Sequence, residues 1–257
     1  WLDPSMTYSA AYYTSEHQTL AEAQYAKYQR IIDFLDIKDG DSILEIGCGW
    51  GGFAEQVCRQ KKVSLHGITL SERQLEFAQQ RLAKADTLGT ADFTLTDYRD
   101  ADGEYDHIVS IEMLEAVGEK YWPTYFDTVY KRLKPGGSAS IQVITIEDKR
   151  FESYSSSPDF IQTYIFPGGM LPTPDIFKEQ ATSAGLKVTD EEAFGMGYAR
   201  TLRDWRDAFQ QRWEEIVPLG FDKRFQRMWH YYLTYCEGGF RGNSIDVYQF
   251  VLEKPAA

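Results

Sequence analysis

Hydrophobic and polar positions repeat with two different periods along the first part of the chain. The short apolar runs that are typical of buried strands occupy residues 42–46, 63–68, 93–96, 105–111 and 138–146. The stretches whose apolar positions recur at helical spacing cover residues 18–35, 53–61, 71–85 and 121–133. Because strands alternate with helices, the pattern predicts an α/β fold with a mostly parallel sheet and helices on both faces.

Residues 149–175 depart from this alternation. Four prolines and two glycines lie there among aromatic side chains. An irregular segment of this length is uncommon in a compact domain unless it covers or binds a ligand. We therefore expect an aromatic lid insertion, after which residues 176–254 return to helix and then strand, with a last strand at 247–252.

Composition narrows the possible partners. The chain of 257 residues has 27 lysines and arginines against 39 acidic residues, a formal net charge of −12, which argues against nucleic acid binding. Three cysteines are too few for a disulfide framework and indicate a reducing, cytoplasmic compartment. The four histidines are scattered, so we expect no metal site. Neither a membrane-spanning run nor a signal peptide is recognisable, and since the chain begins at Trp1 we expect a fragment of a longer protein.

A glycine-rich stretch at 47–52 connects the first predicted strand to the next helix. Glycines there let the backbone turn sharply and approach a ligand closely. A nicotinamide site needs an acidic residue at the end of the second strand, but residues 67–71 contain no carboxylate. Glu45 precedes the glycines and Asp97 follows the third strand, which favours S-adenosylmethionine, a ligand without a pyrophosphate. A tight turn that binds no ligand is the weaker alternative.

Further motifs extend over nearly the whole chain. The most specific are Glu-x-x-Glu-x-Val-Gly at 112–118 and Tyr-Ile-Phe-Pro-Gly-Gly at 164–169. Together with the glycine-rich stretch, they resemble the cyclopropane fatty acid synthase and mycolic acid cyclopropane synthase family of S-adenosylmethionine-dependent methyltransferases. The resemblance implies a Rossmann-like class I methyltransferase fold with a mostly parallel seven-stranded sheet.

The resemblance also implies a division of the chain into four parts. Residues 1–40 would form an N-terminal helical arm that covers the cofactor, and residues 41–148 the core that binds S-adenosylmethionine. Residues 149–240 would form the acyl-chain-binding insertion and helices. Residues 241–257 would return as a C-terminal strand to the core sheet.

Residues for the cofactor and the acyl chain follow from the same resemblance. Those implied to surround the cofactor are Tyr8, Ser9, Gly47, Gly49, Thr69, Leu70, Gln74, Tyr98 and Arg99. Those expected to line an apolar tunnel for the acyl chain are Tyr12, Phe160, Tyr164, Phe166 and Gly169. Two alternatives stay open: Tyr12 and Tyr13 either cover the sulfonium through cation–π contact or pack the N-terminal arm, and the aromatic insertion either lines a tunnel or buries its own rings.

In that family the acceptor of the methyl group is a cis double bond of an acyl chain, and a bound bicarbonate then removes a proton from the resulting carbocation. The positions implied for this bicarbonate site are Glu115, Gln142, Ile144 and Tyr198. Without the resemblance, Glu115 is explained by a helix dipole and Tyr198 by core packing. Glu112, three residues before Glu115, is interpreted as structural.

Two departures from the family pattern change the predicted product. Ala10 stands where the family has cysteine, and Gln142 stands where it has histidine. Glutamine can donate a hydrogen bond to an anion but cannot carry a positive charge. We therefore predict a weakened anion site and a product that is a methylated alkene or branched chain. The ring-forming cyclopropane-fatty-acyl-phospholipid synthase is the first alternative, and a small-molecule amine N-methyltransferase or a non-catalytic lipid- or cofactor-binding paralogue is the second.

The remaining expectations concern ligands and partners. S-adenosylmethionine is the expected cofactor, with bicarbonate as a second candidate ligand. The expected substrate is an unsaturated acyl chain bound in a phospholipid, reached by peripheral contact with the membrane from the cytoplasm. A homodimer is the expected assembly.

Overall fold

Seven strands and ten α-helices make up the structure, a computed structural model that describes residues 1–256. The strands are β1 (Ser42–Ile46), β2 (Ser64–Thr69), β3 (Thr90–Leu95), β4 (Tyr105–Ile111), β5 (Leu133–Ile146), β6 (Lys187–Ala193) and β7 (Ile245–Glu253). The helices are α1 (Leu20–Phe34), α2 (Gly52–Gln60), α3 (Glu72–Lys84), α4 (Trp122–Arg132), α5 (Asp148–Ser156), α6 (Phe160–Tyr164), α7 (Pro174–Ser183), α8 (Gly195–Gln211), α9 (Trp213–Ile216) and α10 (Lys223–Arg241).

The strands form one sheet in the order β3-β2-β1-β4-β5-β7-β6. Strands β1 to β5 run parallel, and β7 pairs antiparallel with both β5 and β6. The strand order reverses between β1 and β4, because β2 and β3 extend the sheet to one side and β5 extends it to the other. In such sheets ligands bind outside the carboxyl ends of the strands at this reversal. The predicted fold class, with a mostly parallel seven-stranded sheet, is confirmed.

Alternating side chains of the central strands supply the cores on the two faces of the sheet. Leu44 and Ile108 point into a core with α4 and α7, whereas their neighbours Ile43 and Val109 point into a core with α1 and α2. All four side chains are fully buried. Burial on both faces explains why the strands appear in the sequence as short continuous apolar runs.

A third core joins the N-terminal segment to α8 and α10. Ala10 from the segment, Trp205 from α8 and Phe240 from α10 pack together with almost no exposure to solvent. This core holds residues near the chain start against helices from the last quarter of the chain. Trp205 and Phe209 are four residues apart on α8, a spacing typical of one helix face, and both are buried.

The proline-rich segment is more regular than a lid without secondary structure. It contains α5 and α6, and Pro174 occupies the first turn of α7, where a proline is tolerated. Asp159 and Gln162 form a reciprocal capping box at the start of α6.

In residues 1–256, every helix is too short or too polar to cross a lipid bilayer.

Candidate active site

The glycine-rich loop leaves β1 at the point where the strand order reverses. Gly47, Gly49 and Gly51 have φ values of +83°, +51° and +76°, in the left-handed region that favours glycine. A Cβ added at Gly49 would have no atom within 4 Å, whereas one at Gly47 would lie 3.0 Å from Cγ of Met113. The backbone at Gly49 is therefore accessible to a ligand, whereas Gly47 packs against the segment after β4.

The N-terminal segment is fastened to this loop by Arg81 of α3. Its Nη1 donates to the carbonyl oxygen of Ser5 at 2.6 Å and to that of Trp50 at 3.3 Å. Beside it, the hydroxyls of Thr7 and Tyr28 are hydrogen-bonded at 2.9 Å, directly above Gly52. Residues 5–7 thus lie against the start of α2.

The predicted cofactor residues at the ends of β2 and β3 lie beside the loop. Thr69 Oγ1 donates to Gln74 Oε1 at 2.8 Å, and the side chain of Leu70 is 72% exposed. Arg99 pairs with Asp97 through two hydrogen bonds of 2.9 and 2.7 Å, and Tyr98 packs edge-on against a buried tyrosine of α4. Open glycine backbone, an accessible leucine and an acidic residue at neighbouring strand ends suit an adenosyl ligand with an amino-acid end, so the residues present fit S-adenosylmethionine.

Tyr8 and Ser9 face the third core and α1. The hydroxyl of Tyr8 is hydrogen-bonded to that of Tyr232 at 2.8 Å, and its ring packs on Trp205. Ser9 Oγ accepts a hydrogen bond of 2.6 Å from Nζ of Lys27. Both side chains therefore make hydrogen bonds within the protein.

Glu112, whose position in the sequence predicts a structural role, is the centre of a hydrogen-bond cluster. Its backbone has a φ of +53°, uncommon for a residue other than glycine, at the turn that follows β4. Its Oε1 accepts from the backbone N of Ala10 at 2.8 Å and from Nε2 of Gln142 at 2.7 Å. Its Oε2 accepts from the hydroxyl of Tyr198 at 2.7 Å. The turn thus places one carboxylate where residues from three other parts of the chain donate to it.

The charge state of Glu112 reflects two opposing influences. Burial raises the pKa of this carboxyl above its ordinary value, whereas the Ala10 N–H, the buried Lys27 cation and the Tyr198 hydroxyl oppose that rise. Hydrogen bonds donated to a carboxylate stabilise its charged form. Gln142 is itself held in place, because its Oε1 accepts from Nε2 of Gln249 at 3.0 Å.

Glu115 lies one turn further along and is held differently. Its Oε1 accepts from the backbone N of Ile144 at 2.6 Å. Its Oε2 is buried without a partner in the described part of the chain. Burial first, and the neighbouring Glu112 carboxylate second, raise the pKa of Glu115 to about 8. At neutral pH Glu115 is therefore mostly protonated, so the two carboxyl groups have separate roles available to them.

Bicarbonate does not fit this cluster. The positions implied to hold it include Gln142 and Tyr198, and both side chains donate to Glu112, as does the backbone N–H of Ala10, where the family has cysteine. The Ala10 N–H and the Tyr198 O–H each have one hydrogen, which Glu112 uses. An added anion would also meet the Glu112 carboxylate at close range, which is unfavourable in a buried site.

The aromatic insertion contacts the segment that contains both glutamates. The backbone N of Met170 donates to the carbonyl oxygen of Glu115 at 2.9 Å, and Gly169 N donates to the carbonyl oxygen of Phe166 at 2.9 Å. The ring of Phe166 packs edge-on against Tyr232, whose hydroxyl reaches Tyr8. Residues 166–170 therefore adjoin the candidate site.

Phe160 and Tyr164 lie further out, on α6. Phe160 packs edge-on against Tyr231 of α10 with ring centroids 4.7 Å apart. Tyr164 is 61% exposed and Tyr231 is 50% exposed, so this end of the insertion presents aromatic rings to solvent.

Tyr12 is not brought to the Glu112 cluster. Its hydroxyl donates to Glu192 of β6 at 2.7 Å, and Arg30 lies over its ring at 5.3 Å. Tyr13 similarly lies under Arg200, with 4.0 Å between the guanidinium and the ring centroid. Both rings thus face cations of the protein itself.

Within residues 1–256, no group of three or more His, Cys, Asp or Glu side chains is arranged to hold a metal ion.

Comparison with known proteins gives one consistent family. The family described as mycolic acid cyclopropane synthetase matches residues 1–250. A tuberculostearic acid methyltransferase of Mycobacterium tuberculosis is 41% identical over 98% of the chain and 61% of its own length. A cyclopropane-fatty-acyl-phospholipid synthase of Escherichia coli is 38% identical over 98% of the chain and 63% of its own length. The chain spans about three fifths of the length of these two relatives.

Solved structures agree in fold over almost the whole chain. The cyclopropane synthase MmaA2 of Mycobacterium tuberculosis superposes with a TM-score of 0.92 at 33% identity, covering 98% of this chain and 92% of that one. The mycolic acid cyclopropane synthase CmaA1, complexed with SAH and CTAB, superposes with a TM-score of 0.93 at 32% identity and the same coverage. The chain therefore belongs to the mycolic acid cyclopropane synthetase family of S-adenosylmethionine-dependent methyltransferases, which confirms the resemblance found in its motifs.

Proposed function

We propose that this protein transfers a methyl group from S-adenosylmethionine to the cis double bond of an unsaturated acyl chain in a phospholipid, and that Glu112 removes the proton that follows. The product is a methyl-branched alkene. The observation that supports this most directly is the carboxylate of Glu112, which accepts hydrogen bonds from Ala10 N, Gln142 and Tyr198. A fixed carboxylate thus takes the place that the family resemblance gives to a mobile anion.

The bound cofactor supplies an electrophilic methyl group on a sulfonium. The π electron pair of the double bond forms the new carbon–carbon bond, and the carbon–sulfur bond breaks with its pair going to sulfur. A cation is left on the other alkene carbon. A C–H bond beside that cation then breaks, its electron pair forms a new double bond, and the proton goes to a carboxylate oxygen of Glu112.

The two glutamates suit different parts of this sequence. A carbocation is a strong acid, so a carboxylate that is already held by three hydrogen bonds is basic enough to accept its proton. Because Glu115 is mostly protonated at neutral pH, it is not a second carboxylate that could form a bond to the carbocation. Its side chain accepts from the backbone N of Ile144, which orients it toward the same strand as Gln142.

Ring formation is the second candidate. It begins with the same methyl transfer and differs only in that the proton leaves the new methyl group as the ring closes. The Escherichia coli relative that is named a cyclopropane-fatty-acyl-phospholipid synthase favours this outcome, whereas the Mycobacterium tuberculosis relative named a methyltransferase favours the open chain. The loss of a cationic side chain at Gln142 and the fixed base at Glu112 support the open-chain product.

Cofactor with a trideuterated methyl group separates these outcomes. The protein is incubated with this cofactor and with vesicles of dioleoyl or divaccenoyl phospholipid, and the released fatty acids are analysed by mass spectrometry and proton NMR. An added methyl that keeps three deuteriums, with alkene signals retained, indicates proton loss from the chain. Two deuteriums in a CD2= group, detected by deuterium NMR because this group carries no protons, indicate loss of a deuteron from the methyl after a hydride shift has moved the cation to the methyl-bearing carbon. Two deuteriums with ring-proton signals and no alkene would refute the open-chain product.

Two further comparisons test the substrate and the base. Glu112→Gln keeps the size of the side chain but removes the base, so methylated lipid is expected to fall by about 100-fold or more while cofactor binding by calorimetry persists. Full activity in this variant would refute the role of Glu112. Cofactor binding without any labelled lipid would refute the lipid substrate, and label in an amine acceptor instead would support an N-methyltransferase.

Peripheral contact with the membrane is part of the same proposal. The exposed rings of Tyr164 and Tyr231 adjoin the insertion that reaches Glu115 through Met170. Arg224 and Arg227 are exposed on the same helix as Tyr231, at spacings that continue one face. Aromatic and basic side chains together suit the interface of an anionic bilayer. The homodimer stays a prediction.

A further inference from the structure

Two side chains of α1, Gln24 and Lys27, are completely buried against the N-terminal segment. They are three residues apart and therefore lie on one face of the helix. Gln24 Nε2 donates to the carbonyl oxygen of Ser9 at 2.9 Å, and Lys27 Nζ donates to Ser9 Oγ at 2.6 Å. Lys27 Nζ also donates to Gln24 Oε1 at 2.7 Å, which fixes the end of the amide that faces Ser9.

The carbonyl of Ser9 and the N–H of Ala10 belong to one peptide group. Because a peptide group is planar and trans, its carbonyl and its N–H point in opposite directions. Gln24 holds the carbonyl, and the N–H donates to Glu112 Oε1 at 2.8 Å. The direction of the hydrogen bond to Glu112 is therefore set from the other side of the peptide.

Lys27 also brings a positive charge into this region. The two hydrogen-bond acceptors of its Nζ, the Ser9 hydroxyl and the Gln24 amide, are both neutral. Burial lowers the pKa of Lys27 to about 7, and attraction to the carboxylates of Glu112 and Asp3 opposes this shift. A buried cation without a direct ion pair lowers stability, so stability alone does not explain a lysine here.

We infer that Gln24 and Lys27 are positioning residues for Glu112: Gln24 aims the Ala10 N–H at its carboxylate, and Lys27 fixes Gln24 and supplies the positive charge that favours ionised Glu112. This inference rests on the proposed function of Glu112 as a base. The ionisation of Glu112 can nevertheless be measured without turnover, so the two ideas can fail separately.

Groups from several elements influence the charge on Glu112. The titratable or charged side chains that face Glu112 or Lys27 are Asp3, Tyr8, Lys27, Tyr28, Glu115, Tyr198 and Tyr232. Lys27 is the cation in this set, and the remaining members are acids or phenols. Its removal is therefore expected to disfavour the charged form of Glu112 more than any other single change in the set.

The test compares Lys27→Met and Gln24→Met with the unaltered protein. Infrared difference spectra, with Glu112→Gln as the reference, follow protonation of the Glu112 carboxylate against pH. In Lys27→Met we expect the midpoint to move to higher pH by about 0.5 or more, with the acid limb of kcat/KM moving alongside it. In Gln24→Met we expect kcat to fall by about 10-fold to 100-fold through misdirection of the Ala10 N–H, with a smaller change of midpoint.

Matched controls come from the same region of the sequence. Lys38→Met, at a lysine whose side chain is 70% exposed, and Gln29→Met, at a glutamine hydrogen-bonded to Asp33, are expected to leave both readouts unchanged. An unmoved midpoint in Lys27→Met, together with kcat within about twofold of the unaltered protein, would overturn the inference. If Lys27→Met does not fold, an unchanged kcat in Gln24→Met would overturn it instead. If the unaltered protein methylates no lipid, the proposed function fails, and the infrared midpoint still decides the inference.

Discussion

The raised pKa of Glu115 predicts a stability change that depends on pH in a defined way. In the folded protein this carboxyl has a pKa of about 8, against an ordinary value of 4.5. The folded state therefore holds a proton that the unfolded state has lost across this interval. Between about pH 5 and pH 8 the contribution of Glu115 to stability falls as the pH rises, by about 1.4 kcal/mol per pH unit.

Glu115→Gln removes this titration and keeps the acceptor for the Ile144 N–H. The difference in unfolding free energy between the variant and the unaltered protein should change with pH in favour of the variant. Relative to its value at low pH, this difference should be larger by about 3 kcal/mol at pH 7 and by about 5 kcal/mol at pH 9, where it becomes constant. The glutamine NH2 would lie where Oε2 is buried without a partner, which costs about 1–3 kcal/mol at every pH. The predicted quantity is therefore the change of the difference with pH, not its value at one pH.

Urea denaturation of both proteins at several values between pH 5 and pH 9 measures this difference. Equal slopes against urea concentration would show that both unfold to the same extent. The matched control is Glu119→Gln, at an exposed glutamate just before α4, which should alter stability by about 0.5 kcal/mol or less throughout. A difference for Glu115→Gln that stays constant from pH 5 to pH 9, or shrinks with rising pH, would refute the reasoning.

Three further predictions concern other parts of the site. Tyr198→Phe removes a donor from Glu112 Oε2 and should lower kcat by about 10-fold to 100-fold, with cofactor affinity by calorimetry unchanged; wild-type kcat would contradict this. Gly52→Ala places a Cβ 2.8 Å from the Tyr28 hydroxyl and should cost about 1–3 kcal/mol in urea denaturation, so equal stability would count against the described packing. Replacing Tyr164 and Tyr231 with aspartate should reduce co-sedimentation with anionic vesicles while the melting temperature is kept, and undiminished binding would exclude that surface.

Much of the fold follows from the sequence because the central strands are buried on both faces. Their continuous apolar runs and the intervening helical spacings predict the parallel part of the sheet. Strand β6 is different: its sequence from Lys187 to Ala193 is mostly polar, since it lies at the edge of the sheet beside β7. The helices α5 and α6 were also missed, because the proline between them and the prolines and glycines that follow α6 favour an irregular segment.

The candidate site could be predicted only in part, and Glu112 shows why. The Glu-x-x-Glu spacing is visible in the sequence, but it does not say which carboxylate faces the site. That choice depends on a φ of +53° at Glu112, a conformation that glutamate rarely adopts and that no local pattern indicates. Its donors at positions 10, 142 and 198 are also distant in sequence, so only the fold brings them together.

The structure relates three positions that appear independent in the sequence. Ala10 and Gln142 were interpreted as losses that weaken an anion site, because glutamine cannot carry a positive charge and alanine stands where the family has cysteine. Both donate to Glu112, Ala10 through its backbone N–H and Gln142 through a neutral amide. A neutral donor set holds a covalently attached carboxylate without the entropy cost of capturing a free ion, so a histidine cation is not needed there. The two departures are therefore better explained as adaptation to a built-in base than as loss of function, and replacing Glu112 with glycine should make activity depend on an added small anion such as bicarbonate or acetate.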